Sequence, residues 1–270
     1  MKKKNAFTLI ELLVVIAIIA LLMAVLIPSL QLARKKAAAS FCMANAKTIA
    51  FAWFAYQSEF DGRICSANPG NEFGWVRNPE TESGQNLGNR DLVEDEDEFR
   101  GIRKGKLYSY VKDVDVYHCP ADKRISVMGT RVFRSYSIPS CLYAASPGSA
   151  MYKQQVVNFS QIRRPASKYM LVEEADMREY NSGPWSFGAK EYGHNPEKWW
   201  DPLAVWHGQS SILGFCDGHS EVHIWRDKFT KERMDKIIRE NTTNYGTASP
   251  PADQTTDIMY MVKGWAYYNK

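Results

Sequence analysis

From Phe7 to Ile27 the chain reads FTLIELLVVIAIIALLMAVLI, 21 residues with one charge and one hydroxyl. As an α-helix rising about 1.5 Å per residue, this run covers roughly 30 Å, the hydrocarbon thickness of a bilayer. A helix that is apolar all round has no solvated face, so it must lie in lipid or in the core of a bundle. Lys2, Lys3 and Lys4 precede it. Basic residues beside a span hold that end in the cytoplasm, so the rest of the chain is expected outside it.

Three kinds of segment begin this way. An ordinary secretory signal has an apolar stretch of roughly 7–15 residues followed by a small-x-small cleavage site. Here the stretch is longer, and the next small cluster, Ala37-Ala38-Ala39, stands behind Arg34, Lys35 and Lys36. A plain signal anchor fits the length but gives Glu11 no purpose. A carboxylate near the membrane core costs a few kcal/mol and usually marks function. The third reading supplies a partner. If Met1–Ala6 is removed, Phe7 becomes the N-terminus and Glu11 its fifth residue. In a helical array the Glu11 carboxylate of one subunit can then meet the free amine of Phe7 on a neighbour. In low dielectric such a pair is strong when made and costly when missing, so it sets axial register.

The string KKKNAFTLIELLVVIAIIA resembles the prepilin cleavage and methylation motif of type IV pilins and type II secretion pseudopilins. The resemblance implies cutting by a prepilin peptidase between Ala6 and Phe7, N-methylation of Phe7 by the same enzyme, and filament assembly through Glu11. The residue before the cut is normally Gly in this family. Ala6 is small enough for the same pocket, so cleavage at an equal or slower rate is expected. Pro28 stands where pilins often carry a helix-bending proline, and its missing N–H is expected to kink the helix.

From Ser29 to Phe60 the pattern stays helical and becomes amphipathic. Leu30, Ala33, Ala37, Phe41, Ala44, Thr48, Phe51 and Ala55 recur at steps of three and four, which predicts the packing face. Asp61-Gly62 predicts the stop. Residues 63–100 read as loop, punctuated by Asn68-Pro69-Gly70, Asn78-Pro79, Gly84 and Gly88. The acidic run Asp91–Glu98 lacks the ligand spacing of a calcium loop and reads as a solvated face. Beyond residue 105, Val114–His118, Ser135–Ile138, Tyr169–Val172, Ile212–Phe215 and Glu221–Trp225 predict short strands. Asp217-Gly218 predicts a hairpin turn between the last two. Lys231–Asn241 predicts a short helix, and the tail around Ser249-Pro250-Pro251 an irregular wrap.

His207, nine residues, then Asp217-Gly218 resembles the H-X9-DG domain found behind prepilin leaders. Cys42 with Asn45 and Lys47, the segment Tyr117-His118-Cys119-Pro120-Ala121-Asp122, and Ser135-Tyr136 fit that family loosely. His207, Asp217 and Gly218 read as structural: Gly for positive φ, Asp to cap the turn, His to hydrogen-bond nearby. Cys216, Asp217, His219 and His223 are crowded, and zinc accepts such donors. On a strand, however, His219 and His223 would stand about 13 Å apart, so no metal is expected. In an oxidising compartment Cys65, Cys119, Cys141 and Cys216 are candidates for disulfides, in any of three complete pairings, with Cys42 left as the odd thiol. Glu173-Glu174 are adjacent on a strand and face opposite ways, which argues against a catalytic acid pair.

Together these features predict an α+β molecule in which one long N-terminal helix packs on a small antiparallel β-sheet domain with long loops. The expected divisions are a leader (1–6), a transmembrane or filament-core helix (7–28), its amphipathic continuation (29–62) and a soluble extracytoplasmic domain (63–270). The expected role is that of a structural subunit of a type II secretion pseudopilus or type IV pilus-like fibre, stored in the inner membrane. Its partners would be the prepilin peptidase and other pilin or pseudopilin subunits. No cofactor and no enzymatic activity are expected. A net charge of +4 from 34 basic and 30 acidic residues, without a basic stripe, argues against nucleic acid. The alternative is a membrane-anchored binding module, for instance for polysaccharide, which would show Trp185, Trp199 and Trp200 as one exposed face.

Overall fold

The computed structural model describes residues 9–88, 91–126, 129–144, 155–178, 180–188, 196–240, 242–243 and 246–266. Ala and the straight-chain aliphatics favour a helix, and α1 runs unbroken from Leu9 to Glu59, 51 residues. Pro28 lies inside it. Its ring removes one i→i−4 bond without ending the helix. The stop comes at Asp61 and Gly62, with φ of 53° and 78°. There the Gly62 N–H returns to the Gln57 carbonyl at 2.8 Å, the long closing bond of a Schellman-type cap.

The two halves of α1 live in different surroundings. Its most apolar 18-residue stretch has a mean hydropathy of 3.2, and none of it is buried. Further on, Cys42, Ala46, Ile49, Ala50, Trp53 and Tyr56 are buried against the rest of the chain. This face is not the predicted one. Phe41 and Phe51 of the predicted stripe are each 65% exposed, and Ala44 and Thr48 are exposed with them. The lower helix is apolar on two sides, and the domain takes the side with the small residues Ala46 and Ala50, which admit close approach.

The sheet has the order β1-β2-β5-β6, all pairs antiparallel. Its strands are Tyr136–Ser137 (β1), Tyr169–Glu173 (β2), Ser210–Phe215 (β5) and Ser220–Ile224 (β6). A second ribbon pairs Phe187–Gly188 (β3) with Lys198–Trp199 (β4). β2 and β5 are buried on both faces. Gly214 in β5 lets the sheet approach the helix: a Cβ there would stand 3.1 Å from Leu171 Cβ and 3.4 Å from Ala50 Cβ. The core is strongly aromatic, with Trp53, Trp75, Trp185, Trp199, Trp225 and Trp265 fully buried.

Four further sequence expectations change. Val114–His118 is not a strand: Asp115–Tyr117 forms a 3-10 turn, begun by the Asp113 side chain accepting from the Asp115 N–H at 2.9 Å. The acidic run opens a helix, α2 (Asp95–Lys104), with four acids in its first turn favourable to the helix dipole. Glu98 of that run is not solvated but buried, accepting from the Phe133 and Arg134 N–H groups at 2.9 and 3.2 Å. A one-turn helix, α3 (Tyr108–Val111), and α4 (Lys228–Glu240) follow, and the tail, irregular around Ser249-Pro250-Pro251 as expected, then forms an unexpected helix, α5 (Thr256–Gly264), which seats Met261 in the core.

Candidate functional site

The candidate residues fall into two regions, the N-terminal motif and a cluster where α1 meets the sheet. Ala6 and Phe7 lie outside the described residues. Glu11 stands in the first turn of α1 on an exposed apolar surface. From Leu9 to Leu30 the large hydrophobic side chains with described surroundings are 45–80% exposed.

At the other region, the scattered fragments noted in the sequence converge. Cys42 of α1 is bonded to Cys119, across a sequence separation of 77 and with the Cα atoms 5.2 Å apart. This corrects the assignment of Cys42 as the odd thiol. The helix turns Cys42 inward, onto the segment after the 3-10 turn. Cys65, Cys141 and Cys216 are free and buried. Burial pushes the Cys65 and Cys141 thiols well up, the latter to about 12, since an apolar surround disfavours the thiolate.

Around the Cys42–Cys119 pair, Asn45 donates to the His118 carbonyl at 3.0 Å, and the Tyr136 hydroxyl donates to the Cys42 carbonyl at 3.3 Å. The Cys119 N–H donates to Ser135 Oγ at 2.9 Å, and Ser135 Oγ donates to Asp122 Oδ2 at 2.7 Å. Asp122 in turn is held by Arg124, with Nη2 to Oδ2 at 2.7 Å and both side chains at most 1% exposed. His207 completes the group. Its Nε2 lies 3.1 Å from Glu173 Oε1 and 3.4 Å from Cys119 Sγ. The second oxygen of Glu173 accepts the Ile212 N–H at 2.8 Å. Burial raises the Glu173 carboxyl above its ordinary range, and His207 partly opposes this.

The other end of the H-X9-DG spacing also meets α1. Gly218 has φ +93°, and a Cβ there would be 3.7 Å from Phe51 Cα. Asp217 Oδ1 accepts the His219 N–H at 3.2 Å. Strand β5 therefore runs between two anchor points on the helix, His207 beside the Cys42 bridge and the turn beside Phe51. His219 stacks on Phe215 and His223 on Tyr260, so the crowd at residues 216–223 is divided between separate surroundings. Glu173 and Glu174 also part company: Glu174 accepts from the Ser137 hydroxyl. Sequence reasoning missed Glu173 as a member of the site. The available signal was a carboxylate in an otherwise apolar buried strand.

Trp185 and Trp199 are fully buried, so no exposed aromatic plane forms from them. Neither a curated protein nor a solved structure matches this chain significantly. Residues 1–27 match the family described as Prokaryotic N-terminal methylation motif. With that motif continuous into a long apolar helix, the protein is type IV prepilin-like at its N-terminus.

Proposed function

We propose that the chain is a structural subunit of a type IV pilus-like fibre or type II secretion pseudopilus. It would be held in the cytoplasmic membrane with its folded domain outside, cut before Phe7, methylated there and drawn into a helical filament. The observation that carries this reading is the methylation motif leading into a helix whose most apolar stretch is unburied among the described residues. Lipid covers this apolar surface while the subunit is in the membrane, and in a filament neighbouring helices would have to cover it in place of lipid, since exposing it to water costs about 25 cal/mol per Å². The exposed stripe Phe41, Ala44, Thr48 and Phe51 continues that surface beyond the length of the bilayer. It gives neighbouring subunits a face that the domain leaves open. Burial of Trp185 and Trp199 supports the structural role over sugar binding. The H-X9-DG residues fit the same role, since they fix the sheet to the helix that must carry the load.

Leader removal is the first test. N-terminal mass spectrometry of the chain from a host with a prepilin peptidase should show a mature start at Phe7 carrying one methyl group. Ala6→Gly should be cut at least as fast. An intact Met1, or a start near Ala39, would overturn the reading.

A further inference from the structure

We infer that Cys42, Cys119, Glu173 and His207 form a buried zinc site when the Cys42–Cys119 bond is reduced. One donor atom from each residue lies within 4.8 Å of all the others. Zinc takes thiolate at about 2.3 Å and imidazole or carboxylate at about 2.0–2.2 Å in a tetrahedron, whose edges are then about 3.3–3.8 Å. The distances already present fall close to those edges: 3.4 Å from His207 Nε2 to Cys119 Sγ, and 3.1 Å from His207 Nε2 to Glu173 Oε1. The bonded sulfurs must separate, to about 3.8 Å, and side-chain rotation can provide this with the Cα atoms 5.2 Å apart; every other donor pair is already within 4.8 Å.

The surroundings suit a cation. His207 and Glu173 are 1% and 0% exposed as side chains, and both cysteines are fully buried. A buried carboxylate beside a neutral disulfide has one imidazole and one N–H against its desolvation. Beside a divalent ion it has a full counter-charge. The donors come from four separate segments: α1, the loop after the 3-10 turn, β2 and the loop before β5. Either staple therefore ties the helix to the domain at the same point. The exchange balances. A dithiol or phosphine reductant gives two electrons to the disulfide and is itself oxidised, and two thiols form. Zn2+ then displaces two protons and binds the two thiolates. The site would exist in a free subunit and in an assembled one alike.

The test uses the full-length chain in detergent micelles, reduced with a phosphine, desalted without air and titrated with Co2+ and Zn2+. The reduced chain should take one Co2+, with the strong visible bands of tetrahedral cobalt and a thiolate charge-transfer band, and Zn2+ should displace it. The oxidised chain should show neither band. His207→Gln and Glu173→Gln should weaken Co2+ binding by roughly 100-fold, since even lost outer partners of metal ligands cost 10–100-fold. Cys42→Ser should weaken it further. Near-UV circular dichroism of the oxidised His207→Gln and Glu173→Gln chains, which keep the disulfide, checks that they fold. No metal uptake by the reduced chain would overturn the proposal. So would equal uptake by the oxidised chain or by the three variants, which would assign the metal to other residues.

Discussion

At the scale of single residues, the five cysteines divide by environment rather than by order. Cys42 and Cys119 close a separation of 77 residues, while Cys65, Cys141 and Cys216 sit fully buried as thiols. Alkylation depends on the thiolate and on access, and burial denies both to Cys65 and Cys141. Iodoacetamide on the native chain should therefore leave all three thiols unmodified. Unfolding without reductant should add three adducts, and reduction should add two more at Cys42 and Cys119. Rapid native labelling of Cys141, or a different pair protected in the unfolded chain, would contradict this arrangement. Loop-closure entropy for such a separation predicts that Cys42→Ala costs about 4.5 kcal/mol. None of this pairing was legible from spacing, because a disulfide joins residues that the fold brings together, and Cys42, on the long helix, stood outside the four candidates. The H-X9-DG spacing marked His207, but nothing in the sequence joined it to Glu173, whose carboxylate stood out in its apolar strand only as half of an adjacent acid pair.

At the scale of elements, the long helix and the strands β2, β5 and β6 were legible because each has a sustained pattern of its own. The face of α1 that packs was not. Two apolar stripes compete there, and the choice falls to close approach: Ala46 and Ala50 lie against Gly214, where larger side chains would hold the sheet away. The packed face pairs those small residues with Ile49, Trp53 and Tyr56, which are buried, while Phe41 and Phe51 of the other stripe stay exposed. Gly214→Val should thus push β5 from α1 and lower the stability of the soluble domain by about 2 kcal/mol, the usual penalty of overpacking. Gly214→Ala, whose Cβ asks its neighbours to yield by only a few tenths of an ångström, should cost less. Urea unfolding of the two variants checks the order, and an unchanged midpoint for Gly214→Val would mean that helix and sheet are not closely packed there. α2 and α5 escaped notice for a different reason. Each is only 10 or 9 residues long, and a short helix in a loop-rich stretch is fixed by tertiary contacts more than by its own periodicity.

At the scale of the whole molecule, the second half of one helix packs in the folded domain, and the first half is exposed among the described residues. The apolar half was the most legible feature of the chain, since lipid and filament core impose a long unbroken pattern and soluble folding does not. Within that half, Glu11 is the informative residue. In the bilayer its carboxylate bears a cost of a few kcal/mol, whichever local groups soften it. In the proposed filament the methylated amine at Phe7 of a neighbouring subunit would lie at a matching depth, so the same charge would become a register mark. Glu11→Leu should leave membrane insertion and leader removal intact, and should favour retention in the membrane. It should also reduce fibre incorporation at least tenfold, the equivalent of about 1.4 kcal/mol, which is modest for loss of one partner of a desolvated ion pair. Glu11→Asp, with its carboxylate one methylene nearer the backbone, should fall between. The readout is the amount of mature chain recovered in sheared or cross-linked filaments relative to the membrane fraction. If wild type and Glu11→Leu assemble equally, Glu11 sets no register, and a helix that serves chiefly as an anchor becomes the better account of this surface.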